Sequence, residues 1–329
     1  MNNPLVTVNI LSFNRKDELR ITLTKVFEQD YKNIEVIVVD NASSDGTQEM
    51  VKNEFPEVKL IGLKENIGIA GWNKGFEAAK GDYVLVLDDD SYPENGTIRD
   101  GLNRIIKEED IGIVAFNVIN LKLKQSQTVI YKENYYIEFI GCGAIIVKKV
   151  FIDVGGFDND IFIYAHERDF AVRVLSKGYK IAYLKNSVVN HMSKMSERKH
   201  PLFNELRIYH STTSYMIILK KYLRAFSFIK YYKTIIKLLL NRFLVLVYFN
   251  ELRVYIKILK FSLYDLRMIK KNGELISKNV LKKYDYFNVA IFDEQYIPRN
   301  KSTGKFQILI YYLQTLFFSK QKKINKISY

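Results

Sequence analysis

Apolar and polar positions along the first two hundred residues alternate between two periods. Val6–Ser12 and Ile34–Asp40 are short runs rich in β-branched residues and read as strands. Between them Leu19, Leu23, Val26 and Phe27 recur at helical spacing within Lys16–Gln29. The alternation continues with a helix over Thr47–Phe55, a strand over Val58–Leu63, a helix over Gly71–Lys80 and a strand over Tyr83–Leu87. This order predicts an α/β fold whose parallel sheet is covered on both faces. Right-handed crossovers then bring the loops after the strands to one edge of the sheet. Those loops hold Ser12, Asn14 and Arg15; Asp40–Gly46; Lys64–Gly71; and Asp88–Asp90.

The last of these loops changes the picture most. Asp88, Asp89 and Asp90 follow directly on the apolar run Tyr83–Leu87. In open α/β sheets, ligands bind beyond the carboxyl ends of the strands. Three adjacent carboxylates repel one another, and burying each costs several kcal/mol unless a cation offsets it. Oxygen donors suit Mg²⁺ or Mn²⁺, which complete their shells with substrate phosphates. The run therefore predicts a divalent metal site that receives a nucleotide diphosphate, with a solvated acidic turn as the alternative. Asp40, at a strand end, can accept a hydrogen bond from a base or ribose, or simply start its own turn. The stretch Asn66–Gly75, with Gly68, Gly71 and Asn73, is rich in glycine before a helix and suits close approach to phosphate. Turn glycines or helix–sheet packing glycines are the competing readings.

Composition bounds the rest. With 329 residues, 48% of them hydrophobic, the chain has room for an α/β domain and an appended part. One cysteine, Cys142, excludes an internal disulfide and fits a reducing compartment. The N-terminus runs straight into the first strand, so no signal peptide is expected. Residues 1–203 carry 26 basic and 29 acidic side chains, a net −3; residues 204–329 carry 24 and 7, a net +17. Two domains meeting near 203 are expected, with different partners. Lys230, Lys233, Lys237 and Asn241 recur at helical spacing beside Ile229, Tyr232, Ile236, Leu239 and Phe243. Arg253, Lys257, Lys260 and Arg267 do the same beside Val254, Ile258, Phe261 and Leu263. These read as basic amphipathic helices that lie on anionic lipid, or as a helical subdomain packed on the core. The best candidate span, Leu238–Phe249, is interrupted by Asn241 and Arg242, so a peripheral association at the inner face of the cell membrane is expected rather than a crossing. The end, Lys320–Tyr329, is expected to fray.

Val8–Arg15, Ile34–Gly46, Asn66–Gly75 and Asp88–Asp90 together resemble glycosyltransferase family 2, inverting enzymes of the GT-A fold. Gly141–Val147 with Gly155–Asp158 resembles the acceptor-side segment of that family. His166–Arg173 resembles its Glu-Asp-x-Asp-Leu-x-x-Arg motif, and His191 follows. The resemblance covers about residues 5–192. It implies that Asp88 and Asp90 bind a metal and the donor diphosphate, with His191 completing the metal site. It places Glu167 at the position of the catalytic base. The usual acidic pair is His166-Glu167 here, so the base role could pass to Asp169. Arg173, four residues after Asp169, reads as its partner along one helix face.

The chemistry agrees with the residues. Glycosyl transfer needs a stabilised leaving group and an acceptor hydroxyl that loses its proton as it attacks. One base without a second nucleophile predicts inversion. The partners implied are a UDP, dTDP or GDP sugar and a glycan or lipid-linked acceptor, with Mn²⁺ or Mg²⁺ as cofactor. Nucleic acid is not expected, because the site loops are acidic. Trp72 is the only tryptophan, so the Gln-x-x-Arg-Trp motif of processive synthases is absent and a non-processive enzyme is expected. A catalytically degenerate protein docking at membranes through its basic region is the alternative. A nucleotidyltransferase, which would release pyrophosphate, is a third reading.

Overall fold

The computed structural model describes residues 3–127, 139–192, 205–224, 227–248, 250–269 and the short pieces 276–277 and 279–280. Lys320–Tyr329 lies outside them. The chain divides into two compact units, Met1–Lys194 and Met195–Tyr329.

In the first unit the predicted alternation is present: β1 (Val6–Ser12), α1 (Lys16–Phe27), β2 (Ile34–Asp40), α2 (Thr47–Glu54), β3 (Lys59–Gly62), α3 (Gly71–Ala78) and β4 (Tyr83–Asp88). Strands β3, β2, β1 and β4 lie side by side, all parallel. Val84 to Leu87 of β4 are fully buried, as a strand covered on both faces requires. Leu19, Leu23 and Val26 of α1 pack on Val6, Val8 and Ile10 to form one side of the core. On β1, Asn9 alternates with these core residues and its Nδ2 donates to the Trp72 carbonyl of α3 at 3.0 Å.

Beyond β4 the sheet turns mixed, which the parallel expectation did not include. Next come β5 (Ser91–Pro93), α4 (Thr97–Lys107), β6 (Ile111–Asn120), β7 (Gln125–Ser126), β8 (Ala144–Val147), α5 (Lys148–Asp153), α6 (His166–Ser176) and β9 (Lys180–His191). β8 runs antiparallel to both β4 and β6, and β9 runs parallel to β6. The two strand-like stretches Lys180–Leu184 and Ser187–Val189 are one strand. Leu184 opposes Phe116 and Val188 opposes Asn117, so residues 185–187 form a bulge that bends the strand without ending it. Past the bulge β9 pairs with β5, and His191 stands opposite Ser91.

The second unit is helical among the described residues. α7 (Glu205–Ile218) continues through a wider turn at Leu219–Leu223; α8 spans Phe228–Tyr248; α9 (Leu252–Lys260) continues through Phe261–Asp265 into α10 (Leu266–Met268). Its core holds Tyr215, Ile218, Tyr222, Tyr231, Ile235, Leu238, Val254 and Ile258. No described helix is long and apolar enough to cross a membrane. The helical spacing of Lys230, Lys233 and Lys237 holds, and all three are exposed. Asn241 differs: it is buried, on the stripe of Tyr231, Ile235, Leu238 and Val245. Four members of the predicted apolar stripe, Ile229, Tyr232, Ile236 and Phe243, face outward with Leu240, at 41–68% exposure. α8 is therefore apolar on two faces, one in the core and one in solvent.

Candidate active site

The loops beyond β1, β2 and β4 are stitched into one surface. Asn41 N–H donates to the Ser12 carbonyl at 2.8 Å, Asn14 N–H to Ser43 Oγ at 2.8 Å, and Ser44 N–H to Asn14 Oδ1 at 2.7 Å. Phe13 N–H donates to Asp89 Oδ2 at 3.1 Å. Four residues other than glycine in the loops around this surface have left-handed backbone: Asn14 (φ 52°), Ala42 (φ 65°), Tyr164 (φ 66°) and Ala165 (φ 59°). Such conformations cost of order 1–3 kcal/mol each and persist where surrounding structure enforces them. Tyr164 and Ala165 immediately precede α6, which carries Glu167 near its start.

The three aspartates take different partners. Asp88 ends β4 beside Leu11. Asp89 and Asp90 form the turn, both almost fully buried. Arg15 Nη1 lies 3.2 Å from Asp89 Oδ1 and 2.8 Å from Asp90 Oδ2. His191 Nε2 lies 3.2 Å from Asp90 Oδ1, and its Nδ1 is 2.6 Å from Gln127 Oε1. The β5–β9 pairing produces this approach, because Met192 N–H donates to the Asp90 carbonyl at 2.8 Å. Asp88, Cys142 and His191 each offer a ligand atom within 4.8 Å of one another.

Enclosure sets the charges. Burial pushes the Asp88 carboxyl up to about 6, and the Asp90 charge adds to the rise. Burial pushes Asp89 up to about 7 against the opposing Arg15 charge. Burial would raise Asp90 too, but His191, by hydrogen bond and charge, and Arg15 outweigh it and hold this carboxyl below the usual range. Burial would lower His191, yet Asp90 and Asp88 raise it. Asp90 is thus the carboxylate of the cluster most favoured in its ionised form, with Arg15 and His191 as its partners.

Glu167, near the start of α6, accepts from Gly141 N–H at 3.3 Å. It lies close enough to Asp88 for its charge to help raise that carboxyl. His166 Nδ1 is 3.1 Å from Glu167 Oε2. The His166 ring is buried between Trp72 and Phe157, with centroids at 5.6 and 5.8 Å, and burial drives its pKa down to about 3. Asp169 sits elsewhere. It is fully buried and receives Arg173 Nε at 3.1 Å and Nη2 at 2.5 Å. Arg173 also donates to the carbonyls of Val154 and Gly156 at 2.5 and 2.7 Å. This is the predicted helix-face pair, here tying α6 to the Gly155–Gly156 turn.

The glycine-rich stretch has the packing contacts of the competing reading. Gly68 (φ 65°) has no room for a Cβ, which would meet the Phe162 carbonyl oxygen at 2.0 Å. Asn66 Oδ1 accepts from Gly68 N–H at 2.9 Å. Asn73 donates to the Phe157 carbonyl at 2.9 Å and accepts from Phe157 N–H at 2.9 Å. A Cβ at Gly75 would meet Asn9 Oδ1 at 1.9 Å. These residues hold α3 against β1 and against the 157–162 loop. Asp40 is fully buried, and its carboxylate accepts from Ser43 N–H at 3.2 Å and Gln48 Nε2 at 2.7 Å, the turn-starting alternative. Ser12 Oγ is buried with no hydrogen-bond partner among the described residues. Cys142, in the Gly-Cys-Gly turn before β8, joins the site through the sheet register: Val86 opposes Ala144, and two further residues along the antiparallel pairing put Cys142 across from Asp88.

Residues 7–157 match the sequence profile of Glycosyl transferase family 2. Over 187 residues the chain is 30% identical to the UDP-Glc:alpha-D-GlcNAc-diphosphoundecaprenol beta-1,3-glucosyltransferase WfaP of Escherichia coli, covering 54% of this chain and 72% of that protein. It is 26% identical over 202 residues to a poly-beta-1,6-N-acetyl-D-glucosamine synthase of Staphylococcus aureus, covering 54% of this chain and 47% of that one. Among solved structures, the mannosyltransferase PcManGT from Pyrobaculum calidifontis, in complex with GDP-Man and Mn²⁺, is similar in fold, with a TM-score of 0.54 and 19% identity over 97% of this chain and 88% of that chain. The chain belongs to glycosyltransferase family 2 and is a glycosyltransferase of the GT-A fold.

Proposed function

We propose that the protein moves a sugar from a nucleotide-diphosphate sugar to a hydroxyl of a glycan or lipid-linked acceptor, with inversion, in surface-polysaccharide synthesis. The observation that carries this reading is the convergence of Asp88, Asp90 and His191 beside Glu167 at the carboxyl ends of the strands. The donor would be a UDP, dTDP or GDP sugar. The name of the E. coli relative includes a UDP sugar and a diphosphoundecaprenol-linked acceptor. Glu167 would take the acceptor hydroxyl's proton as the oxygen attacks, contributing about 10²–10⁴-fold in rate. Asp169 is less suited, because its carboxylate is buried against Arg173.

The site fits a divalent cation, Mn²⁺ or Mg²⁺. Asp90 Oδ1 is buried with His191 Nε2 3.2 Å away, so a carboxylate oxygen and an imidazole nitrogen, both metal-ligand types, face each other beside Asp88. Asp88, Asp90 and His191 would hold the ion. When bound, it would supply Lewis-acid stabilisation of the departing diphosphate. Arg15 neutralises part of the same cluster and keeps Asp89 and Asp90 turned toward the crevice.

The helical unit would bring the enzyme to a membrane surface. Its outward stripe of Ile229, Ile236, Leu240 and Phe243, with Lys230, Lys233 and Lys237 also exposed, has the composition of an interfacial helix. Nucleotide release from UDP-, dTDP- and GDP-sugars, measured with Mn²⁺ and with EDTA, tests the whole reading. Asp90→Ala should abolish metal-dependent donor binding while the fold stays intact. Donor affinity indifferent to both EDTA and Asp90→Ala would remove the metal, and release of pyrophosphate would reassign the reaction.

A further inference from the structure

Cys142 is the chain's only cysteine and is buried. Its place is dictated by the sheet. β8 runs antiparallel to β4, and the turn Gly141-Cys142-Gly143 delivers the thiol to the end of β4 where Asp88 emerges. The turn is tightly held. A Cβ at Gly143 would meet Val118 Cγ2 at 2.6 Å, and one at Gly141 would meet the Trp72 ring at 3.1 Å. His191 reaches the same point from β9. One ligand atom each from Asp88, Cys142 and His191 falls within 4.8 Å of the others. That spacing is slightly wider than an ion with bonds of about 2.0–2.3 Å bridges, so small side-chain rotations would close all three on a single cation. A fourth atom lies at the same place: Asp90 Oδ1, buried and 3.2 Å from His191 Nε2.

We propose that Cys142 Sγ is a ligand of the metal centre, and that it makes the centre select transition ions such as Mn²⁺ over Mg²⁺. This deepens the metal-dependent reading above and rests on it. The reasoning is in the donor set. Carboxylate oxygen alone suits Mg²⁺ and Mn²⁺ alike, whereas imidazole and especially thiolate favour first-row transition ions. Mg²⁺ demands oxygen ligands in a near-ideal octahedron and gains little from sulfur. As the sulfur–metal bond forms, the thiol proton leaves to solvent, so binding releases a proton. An oxygen-only site would show no such preference and no such sulfur.

The test uses the full chain and Co²⁺ as a spectroscopic stand-in. Wild-type protein titrated with Co²⁺ should take up one ion by equilibrium dialysis and develop an intense near-ultraviolet thiolate-to-cobalt band. With one cysteine in the chain, that band has one possible thiolate source. Cys142→Ser should bind Co²⁺ without the band, and its preference for Mn²⁺ over Mg²⁺ should fall about tenfold or more, in the range lost when a metal's support is altered. X-ray absorption on the wild-type Co²⁺ protein needs no variant and should show a sulfur neighbour at about 2.3 Å. One Co²⁺ bound, released by Asp90→Ala, with neither band nor sulfur neighbour would overturn the role of Cys142 and leave the metal centre standing. No saturable binding of Co²⁺ or Mn²⁺ by the wild type would overturn both.

Discussion

In the first unit, buried charge among the described residues meets opposite charge: Arg15 pairs with Asp89 and Asp90, and Arg173 with Asp169. Residues 205–269 have an apolar core of their own but place charge and apolar surface differently around it. Lys220, Lys221 and Arg242 are buried, while Ile229, Ile236, Leu240 and Phe243 are exposed. Lys220 donates to the carbonyls of Leu266 and Arg267 at the chain's last described helix, and Arg242 donates to Thr212 Oγ1 at 2.8 Å. In the first unit, buried charge is met by an oppositely charged side chain. In the second, cations are spent on internal hydrogen bonds and apolar surface is left outside. A contiguous exposed apolar stripe marks an interaction face rather than a finished surface. The comparison teaches that the two units accommodate buried cations differently, one beside carboxylates and the other against carbonyl and hydroxyl oxygens.

The sharpest way to break this comparison is at Glu167. Glu167→Gln keeps the shape and removes basicity. Turnover should fall about 10²–10⁴-fold with donor affinity nearly unchanged, because the base acts on the acceptor in the transition state. Steady-state kinetics with a donor titration separates the two quantities. Substitutions on the outward face of α8 should leave hydrolysis of a soluble donor where it was.

Asp169 sharpens the same contrast from the structural side. Asp169→Asn leaves Arg173 buried beside a neutral partner, and breaking a buried pair costs about 3–5 kcal/mol. Thermal unfolding should therefore shift down markedly. An Asp169→Asn protein of native stability that has lost turnover would transfer the base role to Asp169. For the helical unit, each lysine near an anionic surface contributes roughly 1 kcal/mol, screened by salt. Changing Lys230, Lys233 and Lys237 together to Glu should weaken binding to anionic vesicles by about two orders of magnitude. Co-sedimentation reads this directly. Wild-type protein that stays in the supernatant with anionic vesicles at low salt would leave the exposed stripe without its membrane.

These outcomes bear on residues that differ in how plainly they could be read from the chain. The parallel half of the sheet follows from local periodicity, since β1, β2 and β4 are β-branched runs separated by helical patterns. Asp88–Asp90 stands out because charge ends an apolar strand. The antiparallel β8 and the union of the two strand-like stretches into β9 depend on pairings between segments far apart in the chain, such as Val86 with Ala144 and Phe116 with Leu184, for which no local signal exists. Cys142 is invisible for the same reason: its nearness to Asp88 comes from a register, not a spacing. The close packing at Gly68 and Gly75 is not legible locally, because a glycine packed against a neighbouring residue and one open to a ligand look the same in sequence. On α8 the heptad-like spacing was evident, but two apolar faces cannot be ranked until one is seen in a core.

The smallest predicted effect tests the buried edge of the site. His166 is packed between Trp72 and Phe157, and neither ring nitrogen has a hydrogen bond among the described residues. Burial lowers its pKa from 6.5 to about 3, so the folded protein holds it neutral. Its contribution to stability is fully present above 6.5 and is lost as pH falls from there toward 3, at no more than about 1.4 kcal/mol per pH unit. Asp89 acts in the opposite sense. Its pKa is raised from 3.8 to about 7, so the stability tied to its neutral form is complete below 3.8 and disappears as pH rises through 7. Wild-type curves combine both slopes, and comparison with His166→Phe isolates one of them. The variant should lose less stability between pH 7 and pH 5 than the wild type in matched urea unfolding. Parallel pH profiles for the two proteins would mean that the imidazole is charged or solvated in the fold, and that the edge beside Glu167 is wetter than its aromatic packing indicates.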